Sequence, residues 1–482
     1  MRTSARHDHR NFYVPLAVAQ LLFASAAMAQ QGAYDDLMQD VLVEADIWDP
    51  EPKMLVANYG FEGIIGIPLP YNEQAVRAAG GTWMDLPADL AATADIPTIS
   101  SAVPVLGVAP VWGVQSNLAD AMPIVFSWPL LPETVQPSDF EIHLSDGSIV
   151  NPVGVSIRPC HEFNERNVAV VIGEFGNRLP PGTPGALFIE RTVIVNDGSP
   201  LTLVGPGGVL RSAVGFSLES GNPYRPGDGP VLVGAKLTRT TTAGEDAPDG
   251  PGPEFLPNDG VALFGADAEY RLRMLTSAGF SPNGVSGVRP NEFSRYFRIH
   301  AENNGSTVLL TEANVTYTLA GGQIRILGLS DLGPPGQDLN EVYVEDWDNA
   351  IDIVLSGDEA AMRQITAVEI PAADGYSPFF NPGGPGNDPT PGVTYTLPGP
   401  PDLEPVSIEI DGPRTVSIDR TNRCGPADVA TPFGSYDAAD IRAVVEWVDI
   451  GDPLGDFDGS GVLDFFDVVE FLRTSDEAGG CP

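Results

Sequence analysis

The chain has 482 residues, of which 53 are glycine and 46 proline, and its 65 acidic against 25 basic residues give a formal net charge of −40. So much glycine and proline favours many short strands joined by turns over long helices. So acidic a surface should repel nucleic acid and anionic membranes, and it is compatible with broad Ca²⁺ binding, with life in salty water or, most plainly, with a solubilising exported surface.

The first 29 residues read as an export signal: Arg2, Arg6 and Arg10 form a positive start, Val14 to Ala26 an apolar centre, and Ala27-Met28-Ala29 a small-residue cleavage site. The apolar stretch falls short of the roughly 20 residues that span a bilayer. The mature chain is therefore expected outside the cytoplasm, secreted or at the cell surface, with no membrane span. Its length allows two to four domains.

Residues 30–95 form a mixed segment. Leu37, Met38, Val41 and Leu42 make an apolar stripe that predicts a helix over Tyr34–Ile47, and a shorter helix is expected over Asn72–Ala79. Leu55–Tyr59 and Gly63–Ile67 read as strands between them. From residue 96 to 222 the pattern is all strand: Ile124–Trp128, Phe140–Leu144, Val153–Ile157, Val168–Ile172, Ala186–Glu190 and Thr192–Val195 are β-branched or alternating runs broken by Pro, Gly, Asn and Asp. Within it, Pro123–Phe140 (PIVFSWPLLPETVQPSDF) resembles the opening of a bacterial Ig-like domain, which implies a strand, a turn and the next strand of a β-sandwich.

A second β-rich region is expected over residues 223–371. Its strands are Val231–Leu237, Tyr270–Leu275, Tyr296–His300, Thr307–Leu310, Val315–Leu319, Ile324–Leu327 and Ile351–Leu355, with Gly321-Gly322 as a hairpin turn. The fold class read from the body is thus mainly β, as two consecutive β-sandwich-like domains. Residues 372–423, rich in Pro and Gly, predict a linker that holds the C-terminal region at a distance from the body, ending in a short hairpin of Val406–Ile410 and Thr415–Ile418.

Chemistry is sparse in the body. Its histidines, His143, His161 and His300, are not accompanied by a Gly-x-Ser-x-Gly elbow. Cys160-His161-Glu162 invites a thiol or metal reading, but His161-Glu-Phe-Asn-Glu165 lacks the second histidine of a zinc helix, so a buried structural thiol is the plainer expectation. Glu341, Glu345, Asp346, Asp348 and Asp352 surround Trp347. They fit a solvated loop, a structural Ca²⁺ or the carboxylates of a glycoside hydrolase.

The most informative stretch is Asp456–Asp467. A Ca²⁺ loop of the EF-hand type draws oxygens from positions 1, 3, 5, 7, 9 and 12 and turns on a glycine at 6. Those positions are Asp456, Asp458, Ser460, the Val462 carbonyl, Asp464 and Asp467, with Gly461 at the turn. Position 12 is Asp rather than the longer Glu of calcium sensors. An apolar face comes next (Val468, Val469, Phe471, Leu472), and Ile441, Val444, Val445 and Val448 form a matching one upstream.

Residues 424–482 resemble a bacterial dockerin module of the type that ends in Gly-Cys. The resemblance rests on Cys424–Asp428, Pro432–Gly434, Asp437–Asp440, Gly455–Gly461, Leu463–Val469 and Gly480-Cys481-Pro482. It implies a small all-α, calcium-binding module of two loop-helix units, and a cohesin-like or other surface-anchoring partner. In the first unit Asp428, Asp437 and Asp440 match the loop ends, whereas Thr431 and Phe433 stand where oxygen donors belong, which leaves metal binding there open. If the units pair antiparallel, the module's ends meet; a Cys424–Cys481 disulfide is then expected, worth at most roughly 4 kcal/mol. Covalent anchoring through Cys481 is the rival. Because dockerins often accompany polysaccharide breakdown, a glycan-degrading body is the alternative function, and an adhesive or structural surface protein the third.

Overall fold

The computed structural model describes residues 38–57, 61–85, 98–177, 179, 182–221, 230–246, 260–277, 279–282, 284–285, 287–331, 349–373, 377–379 and 398–477. The export signal, Cys481, and residues 341–348 of the acidic cluster lie outside them. The described part is mainly β, with two longer helices near the C-terminus.

The first group of strands is organised around Ala119–Phe126 and Val168–Gly173, whose residues are all buried. Apart from Asp120 these are apolar runs, which belong to strands covered on both faces. Ile124, Phe126, Ala169 and Val171 enter one core, and Val125, Val168, Val170 and Ile172 enter another on the opposite face. The two strands pair antiparallel, Val168 opposite Val125, and Met54–Ala57 and Phe61–Ile67 add to Ala119–Phe126. Strands from the 30–95 stretch are thereby built into the sheet of the 96–222 stretch. A second sheet, Ser217–Glu219, Ile189–Ile194, Phe140–Leu144 and Ile149–Val150 in spatial order, sends Phe140, Ile142, Leu144, Ile189 and Ile194 into the first of those cores.

The second group has a six-stranded sheet, in spatial order Thr316–Leu319, Gly322–Ser330, Ala350–Gly357, Tyr270–Thr276, Leu232–Arg239 and Ser407–Ile408. A four-stranded sheet of Ser306–Leu310, Arg298–Asn303, Ile365–Ile370 and Asp402–Pro405 shares its core. Glycine is required at the expected turn: Gly322 has φ +142°, and a Cβ there would lie 2.2 Å from Asp358 Oδ2.

Three expectations change. The predicted helix over Tyr34–Ile47 is, where described, the strand Val41–Asp46, paired antiparallel with Thr415–Asp419. Leu42 and Ala45 satisfy a core as well from this strand as from a helix, and the deciding partner is remote in the chain, Asp46 lying opposite Thr415. Val406–Ile410 and Thr415–Ile418 do not form a hairpin: Ser407–Ile408 joins Leu232–Arg239 in parallel, while Thr415–Asp419 goes to Val41–Asp46. The edge of the six-stranded sheet takes Ser407–Ile408, the N-terminal strand takes Thr415–Asp419, and Ile410 and Ile418 are buried in different cores.

Third, the C-terminal module is not held at a distance. Its helices, Ala438–Ile450 and Phe465–Glu477, place Val444, Trp447 and Phe471 in the same core as the first strand group. Trp447 Nε1 donates to the Leu210 carbonyl at 3.1 Å, Ser212 N donates to Asp452 Oδ2 at 3.1 Å, and Arg211 pairs with Glu446. A buried tryptophan whose N–H finds a partner holds two surfaces together.

Candidate metal centre

The acidic loop enters from a short turn, Pro453–Gly455, capped by Asp452, and leaves into the helix Phe465–Glu477. Gly459 and Gly461 both adopt left-handed φ, +68° and +76°, which bends the chain back on itself. One carboxylate oxygen each from Asp456, Asp458 and Asp467 then lies within 4.8 Å of the others. Asp467 is fully buried; it accepts from Asp464 N at 2.8 Å and Asp458 N at 3.3 Å. Asp456 Oδ2 accepts from Gly461 N at 3.0 Å, whereas its Oδ1 is buried without a hydrogen-bond donor.

The other expected ligands are less committed. Asp464 Oδ1 accepts from Phe466 N at 2.7 Å and so caps the helix, and the Ser460 hydroxyl spans Val462 N and O at 3.2 and 3.3 Å. The hydroxyl and backbone N–H of Ser460 hold the Asp458 carboxyl below the usual range. Thus three of the six ligands read from the sequence converge, and Ser460, Val462 and Asp464 close the loop around them. The donor set, all hard oxygen with one buried oxygen lacking a proton donor, fits Ca²⁺.

A second group of carboxylates, Glu165, Glu245 and Asp331, also brings one oxygen of each within 4.8 Å of the others. Here the counter-charges are built in. Lys236, Arg273 and Asp352 stand opposite one another on adjacent strands of the six-stranded sheet, on the face away from its core. Arg273 reaches Glu165 at 2.5 Å, Asp352 at 2.9 Å, Asp331 at 3.1 Å, Glu245 at 3.3 Å and Asp46 at 3.5 Å. Lys236 reaches Asp46 at 2.7 Å, and Arg271 pairs with Glu245. All are buried. Burial pushes the Arg273 guanidinium toward losing its proton, but Asp352, Glu165, Glu245 and Asp331 outweigh it and raise its pKa well above normal. Burial and the neighbouring Glu165 push the Asp331 carboxyl well up. These groups come from both strand groups and from the N-terminal strand, so they form a charged joint, not an open site.

The joint absorbs two stretches singled out from the sequence. Asp352 is 1% exposed and bound to Arg273, which removes it from any role facing a sugar. Cys160, His161 and Glu162 are buried at the head of a polar run that continues through Asn164, Glu165, Arg166 and Asn167. Asn164 Nδ2 donates to Glu245 at 2.9 Å, and Asn167 Nδ2 donates to the Asp46 and Phe126 carbonyls at 3.1 and 3.2 Å. This run ties segments together. His143 sits between Glu141 and Arg191, and His300 contacts Glu369 at 2.5 Å, each on a separate strand. The joint was missed in the sequence, although Arg271 and Arg273 alternate with core residues inside an apolar strand, which signals ion pairing on one face.

Cys424 is disulfide-bonded and Cys160 is a buried thiol outside any disulfide; Cys481 lies outside the described residues. Among the described residues no helix is long and apolar enough to cross a membrane. Compared with family models, with curated proteins and with solved structures, the chain matches none.

Proposed function

We propose that this is an exported protein of β-sandwich-like domains, tethered through a calcium-dependent, dockerin-like C-terminal module to a cohesin-like or other surface-anchoring partner. The observation that carries this reading is the convergence of Asp456, Asp458 and Asp467 on one point with no lysine or arginine paired to them among the described residues. Like charges so placed repel unless a cation joins them. Ca²⁺ held by Asp456, Asp458 and Asp467, with Ser460, the Val462 carbonyl and Asp464 in reach, would supply that charge and fix the start of the helix Phe465–Glu477.

Support for a docking role comes from the apolar surface that stays uncovered once the module is packed on the body. Ile441 and Val445 on the first helix, and Phe465, Phe466, Val469 and Leu472 on the second, remain between 42% and 73% exposed. Helices that present apolar residues at turn spacing are a recurrent recognition element. The test is retention at the surface of producing cells. The full-length protein should stay cell-bound in calcium and be released by a chelator, and Phe465→Asp with Phe466→Asp should be released even in calcium. Retention of that variant, or of wild type in chelator, contradicts the tether.

A further inference from the structure

The two halves of the module satisfy their carboxylates in different ways. In the first, the aspartates that align with the ends of a calcium loop are filled by the chain itself. Asp428 Oδ2 accepts from Cys424 N at 3.0 Å and Gly434 N at 2.7 Å. Asp440 Oδ1 accepts from Val429 N and Ala430 N, both at 2.8 Å, and its Oδ2 from Asp437 N at 2.9 Å. Both residues are buried. Backbone N–H groups thus occupy most of these oxygens, and among the described residues Asp428, Asp437 and Asp440 do not bring three carboxylate oxygens within 4.8 Å of one another, as Asp456, Asp458 and Asp467 do. Asp428 Oδ1 alone has no donor, but Asp437 Oδ1 is engaged by Ala439 N at 2.6 Å, and Thr431 and Phe433 offer no carboxylate to complete a site.

The same half carries the attachment to the body through Trp447, Glu446 and Asp452. The second half is held by packing. Its helix is anchored mainly through Phe471, which meets Phe457 edge-on at 5.2 Å, while Phe465 and Phe466 at its start are 73% and 66% exposed. Phe457 is itself the second residue of the acidic loop, so the helix's packing partner is set by the loop's conformation.

We infer that the module takes one calcium ion and that the ion orders only its second half: the first half is a metal-free clamp on the body, and Asp456–Glu477 is the part that calcium switches. This rests on the tethering reading and adds to it that the partner-facing Phe465–Leu472 segment can be withdrawn without undocking the module. On the full-length protein, calcium titration should give one ion per chain. Hydrogen exchange should then show that chelation raises amide exchange in residues 456–477 by about ten-fold or more, while residues 438–450 change by less than about two-fold. Two ions per chain, or both helices losing protection together, or no change in either despite calcium uptake, overturns the inference and leaves the tether standing. No calcium uptake at all overturns both.

Discussion

Among the described residues, two groups of three carboxylates each bring oxygens within 4.8 Å of one another, yet they stand in opposite electrostatic settings. Around Glu165, Glu245 and Asp331 the six-stranded sheet supplies Arg273, Arg271 and Lys236, all within a buried joint. Around Asp456, Asp458 and Asp467 no base is paired among the described residues, and the loop lies at the surface end of a helix. Clustering of acids therefore does not by itself mark a candidate metal centre. What separates the two groups is whether the fold has already placed the compensating charge.

The most demanding trial of this contrast is to remove the compensating charge. Arg273→Met removes the base shared by Asp46, Glu165, Glu245, Asp331 and Asp352, leaving only Lys236 and Arg271 among the five carboxylates, and should cost about 3–5 kcal/mol in denaturant unfolding. The variant should also gain more stability from added calcium than wild type does, because its joint now resembles the loop. A loss below about 1 kcal/mol would show that the joint is not electrostatically organised.

A smaller effect is expected at the contact between module and body. Trp447→Phe keeps the ring in the shared core but removes one of two donors to the Leu210 carbonyl, which retains Arg211 Nη1 at 2.9 Å, costing about 0.5–1.5 kcal/mol. Proteolysis should then release the C-terminal fragment sooner. Unaltered release would mean the module's grip does not run through this bond.

The joint should also leave a signature in pH. Burial first, then Glu165, raises the Asp331 carboxyl well above its ordinary 3.8, so the folded chain binds that proton more tightly than the unfolded one. Its contribution is complete below pH 3.8 and is lost as pH rises through the folded value. Asp331→Asn should therefore gain on wild type as pH is raised from about 4 to 8, read as a difference in melting temperature that widens with pH. A constant difference across that range would contradict the assignment. Least affected should be Arg473→Ala, which breaks an exposed pair with Glu470 and should change stability by no more than about 0.5 kcal/mol.

Local pattern made much of this legible. The strands at Phe140–Leu144, Val168–Gly173 and Tyr270–Thr276 come from alternation or continuous β-branched runs, and the acidic loop from its oxygen positions and its glycine. What local pattern could not show was pairing over long sequence distances. Val41–Asp46 is a strand because Thr415–Asp419 lies beside it, and residues 402–419 are a strap because two sheets offered open edges. The joint escaped for the same reason: Arg273 and Asp352 are neighbours across strands, whereas Glu165 and Asp46 arrive from other parts of the chain. Similarly, Trp447 reads as one more apolar helix residue until Leu210 is seen to meet its N–H.

Calorimetric titration of the full-length mature protein with calcium, set beside Asp456→Ala with Asp467→Ala, decides whether the loop is a metal centre. The wild type should take up one ion with measurable heat, and the double variant none, with its β structure unchanged by circular dichroism. Equal uptake by both proteins, or none by the wild type, would contradict the assignment.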